Sequence, residues 1–405
     1  MMSPLLQPSR EAKLQISFEN FHNIVDGEFR SSEFIHSGFN PTTSKRLWDV
    51  PVATQEDVDT AVSVANIAFG SWKKTTWEYR SQLLKEYAAH VKGLSAELAD
   101  LLILETGKPR FLAEGEISIA VDTILHFAEL HKPSETVLDE ATSKVVQTTH
   151  EPIGVVAAIC PWNFPCALPM NKLGPALQAG NCIILKPSPH APYSLLKLVE
   201  IAQNHFPKGV VQCLGGGLEE TVGPWLTEHN GVHKVSFTGS CAVGKKVMAA
   251  CAKTVKRVTL ELGGNDASII CPDVDIESVA KEVALGVFIN TGQVCASTKR
   301  LFVHQDIYPE MMKALHHAVG NLKVGGDEPS VMIGPLQNAM QFERVKTFVH
   351  EAEKCGYKFA VGSGEIEPTN GLFIKPMIID NPPNDSRLIT EEQFVSMLNQ
   401  LSTSY

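Results

Sequence analysis

The sequence predicts an α/β fold in which short parallel strands alternate with helices. From residue 153 onward, apolar runs rich in Val and Ile alternate with helical patterns. Such alternation is typical of βαβ units whose sheet is covered by helices on both faces. The length of 405 residues corresponds to two or three domains. A hydrophobic content of 44% with 20% charged residues is sufficient for a sizeable core.

The predicted strands and helices form two series that meet near Gly263-Gly264. Before them, residues 1–50 look irregular and residues 55–130 are mainly helical. The strand-like stretch 144–150 follows a turn-rich segment, which predicts a hairpin. The first series comprises strand 154–160, helix 168–178, strand 182–185, helix 192–205, strands 210–214 and 234–237, a helix from 240, and strand 257–262. The second comprises strand 268–271, helix 276–288, strand 301–304 and helix 309–322.

Composition and charge exclude several classes of protein. Lys and Arg number 35 against 45 Asp and Glu, and a net charge of −10 argues against nucleic-acid binding, which needs clustered cations. No apolar run approaches the roughly 20 residues of a membrane span. The N-terminus has no export signal, because charged residues interrupt it. Nine Cys without a CxxC pair predict reduced thiols and a cytoplasmic location.

The first candidate for chemistry is Cys295, at the end of the segment Asn290-Thr291-Gly292-Gln293-Val294-Cys295. A reactive thiol needs a partly exposed, electropositive niche and a lowered pKa. A Cys taken alone is more often a buried, inert core residue. The polar residues around Cys295 favour the nucleophile, because a structural Cys rarely needs them.

The second candidate is Glu261, in an otherwise apolar strand that two glycines follow. Burial of this carboxylate would raise its pKa, which suits a general base near neutral pH. The alternative is a Glu at the strand end that points to solvent. Strand ends are also the places where sites gather in α/β folds.

The loop from Pro161 to Pro165 follows a predicted strand and carries Trp162 and Asn163. Because two prolines fix the loop, the Asn163 amide can be held rigidly, as an oxyanion donor must be. The alternative is an Asn that caps the following helix. The spacing does not decide between them.

Two further segments suit a nucleotide. Lys186 follows a predicted strand and can reach a sugar or phosphate, although a solvated loop Lys is commoner. Gly239 to Gly244 opens a helix whose free N–H groups and dipole favour a pyrophosphate, but the pattern alone is weak. We expect no metal, because Asn-Gly breaks any helix between His229 and His233.

In this order, the segments resemble the NAD(P)-dependent aldehyde dehydrogenase superfamily. The specific signatures are Glu261-Leu262-Gly263-Gly264 and Asn290-x-Gly292-Gln293-x-Cys295, with Cys295 34 residues after Glu261. The segments 161–165 and 105–109 reinforce the resemblance, which runs from about Ile24 to about Phe394.

The resemblance implies the domain organisation. A Rossmann-type, dinucleotide-binding domain is expected at 1–128 and 152–262, and a second, catalytic α/β domain at 263–405. A small bridging hairpin used in oligomerisation is expected at 129–151.

The resemblance also implies oxidation of an aldehyde to a carboxylic acid with NAD or NADP. Cys295, as thiolate, attacks the aldehyde carbon to form a thiohemiacetal. The Asn163 side chain and the Cys295 backbone N–H hold the oxyanion. Hydride transfer to the nicotinamide leaves a thioester, which is hydrolysed by a water that Glu261 activates.

The cofactor contacts implied by the resemblance are Trp162, Lys186, Gly239, Ser240, Glu392 and Phe394. Lys186 is expected at the adenosine ribose and Ser240 at the pyrophosphate. Glu392 is expected to hold the nicotinamide ribose, with Phe394 beside it. Many NAD-preferring members carry a Glu where this chain has Pro189, so we expect at most a modest preference between NAD and NADP.

The implied aldehyde pocket is lined partly by residues on the helix after Pro165: Cys166, Ala167, Met170, Asn171 and, next to them, Lys172. This set is mixed, small and polar, so it does not indicate a bulky aromatic aldehyde.

The end of the chain departs from the family. After Phe394 the sequence continues as Val395-Ser396-Met397 and stops at Tyr405. We therefore expect a C-terminally truncated member with exposed sheet edges. Full-length relatives are homo-oligomeric, and the oligomeric state of this chain stays open. One alternative is a catalytically silent NAD(P)-binding pseudoenzyme. The other is a dehydrogenase that passes the acyl group to coenzyme A, although Glu261 favours hydrolysis.

Overall fold

A computed structural model describes residues 14–134, 136–141, 144–219, 221–363, 366 and 370–403. The chain divides into two compact units: residues 1–37, 48–98 and 115–261 form the first, and residues 38–47, 99–114 and 262–405 the second. Residues 1–13, on which the prediction about an export signal rests, lie outside the described residues. No helix in the described ranges is long and apolar enough to cross a membrane.

The elements up to Glu261 are β1 (Asn23–Val25), β2 (Glu28–Arg30), β3 (Ile35–Phe39), β4 (Arg46–Pro51), α1 (Gln55–Trp72), α2 (Trp77–Gly93), α3 (Ser95–Thr106), α4 (Arg110–Glu129), β5 (Thr136–Ala141), β6 (Lys144–Thr148), β7 (Val155–Ile159), α5 (Ala167–Gln178), β8 (Cys182–Lys186), α6 (Tyr193–Ala202), β9 (Val211–Cys213), α7 (Val222–Glu228), β10 (Lys234–Thr238), α8 (Cys241–Ala252) and β11 (Arg257–Glu261). Those after it are β12 (Ala267–Ile270), α9 (Ile276–Phe288), β13 (Arg300–His304), α10 (Tyr308–Gly320), α11 (Ala339–Lys354), β14 (Lys358–Val361), β15 (Met377–Asp380), α12 (Arg387–Thr390) and β16 (Met397–Thr403).

The first unit is built on a seven-stranded sheet in the order β11-β10-β7-β8-β9-β1-β2. The five strands from β11 to β9 are parallel, and their central members are apolar and buried. The hairpin β1–β2 adds to the edge of this sheet in antiparallel fashion, through the pair Ile24 and Cys213. The register pairs Ile159 with Lys186 and Thr238 with Glu261, so neighbouring strands end together.

The second unit contains a five-stranded sheet in the order β12-β13-β16-β15-β14. Strand β16 lies at its centre, parallel to β13 and β15. Its Leu398 packs in a buried apolar cluster with Leu301 of β13, Ile378 of β15 and Phe288 of α9. The central strand of this sheet therefore comes from the last described residues of the chain.

Local sequence signals explain why the helices begin where they do. Helix α1 starts at a reciprocal capping box, in which Thr54 and Asp57 satisfy each other's backbone N–H groups. Asp275 caps α9 by accepting a hydrogen bond from the Ser278 N–H at 2.7 Å. Between α3 and α4, Gly107 has a φ of +70°, a backbone conformation that glycine adopts without strain.

The fold class predicted from the sequence is confirmed, and the expectation of an irregular first segment is wrong. Residues 14–50 are not irregular, because they contain β1 to β3 and most of β4. The sequence predicts no strand after Phe394, whereas Met397–Thr403 is β16. The hairpin predicted around 144–150 is present as β5 paired with β6.

Replacement of Leu398 by Ala should lower the free energy of unfolding by about 2–5 kcal/mol, because it removes apolar atoms from a buried cluster and leaves a cavity. Urea titration measures this change. The control Ser402→Ala, at an exposed position of the same strand, should change it by less than about 0.5 kcal/mol. Equal effects of the two variants would mean that β16 does not pack in the core.

Candidate active site

The carboxyl edge of the seven-stranded sheet gathers most of the first unit's candidate residues. Lys186 ends β8 and Glu261 ends β11. Trp162 and Asn163 follow the end of β7, and Gly239 and Ser240 follow the end of β10. Parallel strands with a common register deliver all of these segments to one edge of a sheet, which is where α/β folds place ligand sites.

Lys186 is not a solvated loop residue, since only 6% of it is exposed. Its ammonium donates to the carbonyl oxygen of Pro187 at 3.1 Å. A Cβ atom at Gly216 would lie 3.1 Å from the same ammonium. The backbone of Gly216 therefore approaches the Lys186 ammonium closely, and a larger residue at 216 would press on this cation.

Asn163 is buried, and it is not the capping residue of α5. The N-cap position of that helix is Cys166, and its side chain makes no capping hydrogen bond. The carboxylate of Glu116 takes that role, because it accepts from the N–H groups of Cys166 at 2.8 Å and Ala167 at 3.2 Å. The helix-cap alternative for Asn163 is therefore wrong.

Gly239 and Ser240 form the junction between β10 and α8. The Gly239 N–H donates to the carbonyl oxygen of Glu261 at 3.0 Å. Ser240 is the N-cap of α8, and its exposed hydroxyl accepts from the Val243 N–H at 3.4 Å. The junction presents an exposed hydroxyl at the N-terminus of a 12-residue helix, where an anion is favoured.

Glu261 is exposed, so the expectation that its carboxylate is buried is wrong. The physical reason is that β11 lies at the edge of the sheet and is only half-covered along its length. The alternative reading, a Glu at a strand end that points to solvent, describes its position. A carboxylate there is in contact with water.

The sequence indicates Lys172 of α5 only as a neighbour of the expected pocket residues. The structure shows that this Lys is buried and hydrogen-bonded. It is 8% exposed, and its ammonium donates to the Ser236 hydroxyl at 3.0 Å. Burial lowers the pKa of Lys172, while Cys160 and Glu261 act in the opposite direction. A Lys on a helix of mostly small and apolar residues was the available sequence signal.

Two imidazoles lie near the end of β8. The His36 Nε2–H donates to the carbonyl oxygen of Pro189 at 2.7 Å. Burial lowers the pKa of His190 to about 4, and the positive charges of His36 and Lys186 act in the same direction. His190 is therefore neutral near pH 7.

In the second unit, the thiol of Cys295 is exposed on a loop between α9 and β13. The loop is preceded by three successive left-handed residues: Asn290, Thr291 and Gly292 have φ values of +52°, +61° and +69°. This conformation costs roughly 1–2 kcal/mol for each residue with a side chain. A Cβ atom at Gly292 would also overlap the backbone of Val395, so only glycine fits there.

Hydrogen bonds hold this strained turn in place. The amide of Gln293 donates to the Asn290 carbonyl oxygen at 2.9 Å and accepts from the Gln337 N–H at 2.9 Å. The Thr291 hydroxyl donates to the carbonyl oxygen of Gly334 at 3.0 Å. The Asn and Gln of the signature around Cys295 thus fix the backbone that presents the thiol.

The buried ammonium of Lys299, 1% exposed, lies against the same loop. It donates to the carbonyl oxygens of Val294, Cys295 and Ser297, each at 3.0 Å. It also forms an ion pair with Asp266 Oδ2 at 3.0 Å. The sequence around Lys299 gives no sign of this role, because a Lys beside Ser, Thr and Arg is typical of a solvated segment.

Glu392 lies 3.8 Å from the Lys299 ammonium through its Oε1 atom. Among the described residues this buried oxygen has no hydrogen-bond partner. Burial raises the pKa of Glu392, and Lys299 and the Gly264 N–H partly offset that effect. A Cβ atom at Gly263 would overlap the other carboxylate oxygen, so this glycine makes room for Glu392. Phe394, two residues on, has a φ of +55°.

The family model for aldehyde dehydrogenases matches residues 30–402. The chain belongs to the aldehyde dehydrogenase family. The match extends past Phe394 and includes most of β16, so the expectation that the family likeness ends at that residue is wrong.

Curated relatives and solved structures agree with this assignment. The protein FUS7 of Gibberella moniliformis is 42% identical over 379 residues, which cover 94% of this chain and 80% of the relative. The D-glyceraldehyde dehydrogenase (NADP(+)) of Picrophilus torridus is 36% identical over 94% of this chain and 78% of its own. The NAD+ complex of the aldehyde dehydrogenase from Bacillus cereus matches with a TM-score of 0.91 and 32% identity, over 97% of this chain and 83% of its own.

Substitution of Gly292 by Ala should destabilise the protein by at least about 2 kcal/mol, because Ala is strained at this φ and its methyl group meets Val395. The matched control is Gly286→Ala in α9, where an added Cβ meets nothing within 4 Å. That change should stabilise by about 0.5–1 kcal/mol. Urea titration measures both changes. A shift of the free energy of unfolding in the same direction for the two variants would contradict the account.

The low pKa of His190 predicts a pH dependence of stability. Between pH 6.5 and about 4 the unfolded chain takes up a proton at this imidazole and the folded chain does not. Stability is therefore lost as the pH falls through this window. The variant His190→Asn should lose less stability than wild type between pH 7 and pH 5, by on the order of 1 kcal/mol. Exposed His131→Asn serves as the control, and identical pH slopes for all three proteins would refute the assignment.

Proposed function

We propose that this chain oxidises an aldehyde to a carboxylic acid through a thioester on Cys295, with NAD or NADP as the oxidant. The observation that carries this proposal is the exposed Cys295 thiol on a loop that a strained turn and a buried ammonium fix beside Glu392. The family assignment supports the reaction class.

Cys295 is the best nucleophile among the nine cysteines, all of which are described. Burial raises the pKa of Cys160 to about 11 and that of Cys182 to about 12, so those thiols stay protonated and inert. Four thiols are exposed: Cys241, Cys271, Cys295 and Cys355. Of these, Cys295 alone is in the family signature loop, whose backbone the Lys299 ammonium contacts.

The proposed reaction begins when the Cys295 thiolate attacks the aldehyde carbon. The oxyanion that forms would be held by the Cys295 backbone N–H and by the buried amide of Asn163. A preorganised donor of this kind contributes about 2.7–4 kcal/mol to transition-state stabilisation in other enzymes.

The residues present fit a dinucleotide. The Oε1 atom of Glu392, which accepts no hydrogen bond from the described residues, is suited to a ribose hydroxyl, and Phe394 follows it. We propose that Lys186 contacts the other ribose, and that Gly239, Ser240 and Trp162 contact the pyrophosphate region. When bound, the nicotinamide supplies the hydride acceptor. Cofactor use by relatives supports NAD or NADP: one solved relative is an NAD+ complex and another an NADP-dependent enzyme of E. coli.

Hydrolysis of the thioester is assigned to Glu261. Because this carboxylate is exposed, it can accept a proton from a water molecule, which then attacks the thioester carbon. The Glu261 carboxylate favours the charged form of the buried Lys172 ammonium, because opposite charges attract. Transfer of the acyl group to coenzyme A would leave Glu261 without this role.

We also propose that the hairpin β5–β6 contributes to a homo-oligomer. It exposes the apolar side chains of Val137, Val145 and Val146, which a partner surface would cover. The cytoplasmic location stays a prediction from the cysteine pattern.

Replacement of Cys295 by Ala should abolish aldehyde oxidation, with kcat lowered by about 10³-fold or more, because the covalent route is lost. The assay follows absorbance of the reduced nicotinamide with a panel of aldehydes and with both cofactors. The exposed Cys271→Ala serves as the matched control and should keep wild-type activity. Undiminished oxidation by Cys295→Ala would contradict the proposal. Cofactor binding by wild type without turnover would identify a silent form instead.

A further inference from the structure

We infer that Lys299 is a positioning residue for the oxyanion donor: its buried ammonium aims and polarises the peptide unit whose N–H belongs to Cys295. The inference rests on the proposed function, because it concerns the oxyanion that Cys295 is proposed to form. Lys299 itself touches the loop and not the substrate.

The contacts that carry the inference are within the second unit. The Lys299 ammonium has three N–H donors and four oxygen atoms at 3.0 Å: the carbonyl oxygens of Val294, Cys295 and Ser297, and Asp266 Oδ2. Three of these four oxygens are backbone atoms of the loop. An ammonium with this many loop carbonyls does more than pair with a carboxylate.

Peptide planarity connects these contacts to the chemistry. The carbonyl of Val294 and the N–H of Cys295 belong to the same trans peptide unit and point in opposite directions. A donor that binds the Val294 oxygen therefore determines where the Cys295 N–H points. The Ser297 N–H and hydroxyl also donate to this oxygen, at 3.3 and 3.1 Å, but Lys299 is the charged donor.

Charge adds a second effect. Hydrogen bonds in a chain polarise each other, so a cation on the carbonyl oxygen strengthens the N–H of the same peptide unit as a donor. The ammonium is almost fully buried, which limits screening by water. Arginine would not serve equally well, because its planar fork cannot converge on three carbonyl oxygens around one point.

The loop itself is anchored to the sheet through Lys299. Its backbone N–H donates to the Asp266 carbonyl oxygen at 3.0 Å, and its carbonyl oxygen accepts from the Asn399 N–H of β16 at 3.0 Å. The backbone of Lys299 is thus fixed on both sides, which anchors the side chain that carries the ammonium. This rigid base is what a positioning residue requires.

The test compares two reactions of Cys295 that differ in their need for an oxyanion. Alkylation by iodoacetamide displaces iodide at a saturated carbon and creates no oxyanion, whereas addition of propanal creates one. In protein without cofactor, we measure the alkylation rate of Cys295 by peptide mass spectrometry, and the propanal concentration that halves this rate. The other three exposed thiols serve as internal references for the alkylation.

For Lys299→Met, we expect the half-protecting propanal concentration to rise and kcat to fall, each by roughly tenfold to a hundredfold. The alkylation rate without propanal should stay within threefold of wild type. A residue that merely supports the loop would alter alkylation and protection together. Asp266→Asn, which removes the charge beside Lys299 but keeps the three carbonyl contacts, should change propanal protection and kcat less than Lys299→Met does. Exposed Lys313→Met should stay within threefold of wild type in every measurement.

If Lys299→Met does not fold, Lys299→Gln provides the same comparison, since its shorter amide cannot reach all three carbonyl oxygens. Equal propanal protection of wild type and variant would overturn the inference alone. An equal loss in Asp266→Asn would also overturn it, because the ion pair and not the carbonyl contacts would then matter. Failure of propanal to protect wild-type Cys295 would overturn the proposed function and the inference with it.

Discussion

The contact between the Lys299 ammonium and the carbonyl oxygens of the Cys295 loop is the interaction on which the candidate nucleophile depends. A loop that carries an exposed thiol has few side chains with which to pack, so its backbone must be held by polar contacts. Lys299 provides these contacts at the C-terminal end of the loop, and the strained turn at 290–292 fixes the backbone at its N-terminal end. Because Lys299 directly precedes β13, the loop takes its position from the five-stranded sheet of the second unit.

The first unit uses a different constraint, the register of parallel strands. Neighbouring strands end at the same level, and the chain then leaves the sheet at one edge. Lys186 and Glu261 are the last residues of their strands, and Asn163 and Ser240 follow shortly after theirs. Side chains from distant parts of the sequence are thereby collected without any of them needing to contact another directly. This arrangement also explains why Lys186 can be buried while Glu261, on the edge strand, is exposed to water.

The sequence predicts those features that depend on neighbouring residues. Helix α9 is predicted at its observed bounds, because its apolar spacing and its capping Asp275 are local signals. The sequence does not predict strand β16, because its residues include Asn399 and Gln400 as well as apolar ones and show no clear strand pattern. The structure buries Asn399 in the sheet, where its amide N–H donates to the Leu388 carbonyl oxygen at 2.8 Å, a partner that local sequence does not indicate. The same limit applies to Lys299, whose burial is set by Asp266 and by loop carbonyls.

The central claim is that the sulfur of Cys295 carries the acyl group during turnover. Acid-quenched reactions of Glu261→Gln with propanal and NAD or NADP, followed by peptide mass spectrometry, test it most directly. The account predicts a propanoyl group on the peptide that contains Cys295, at a higher level than in wild type because hydrolysis is slowed. Continued oxidation of propanal with this peptide unmodified at every time point would contradict the account.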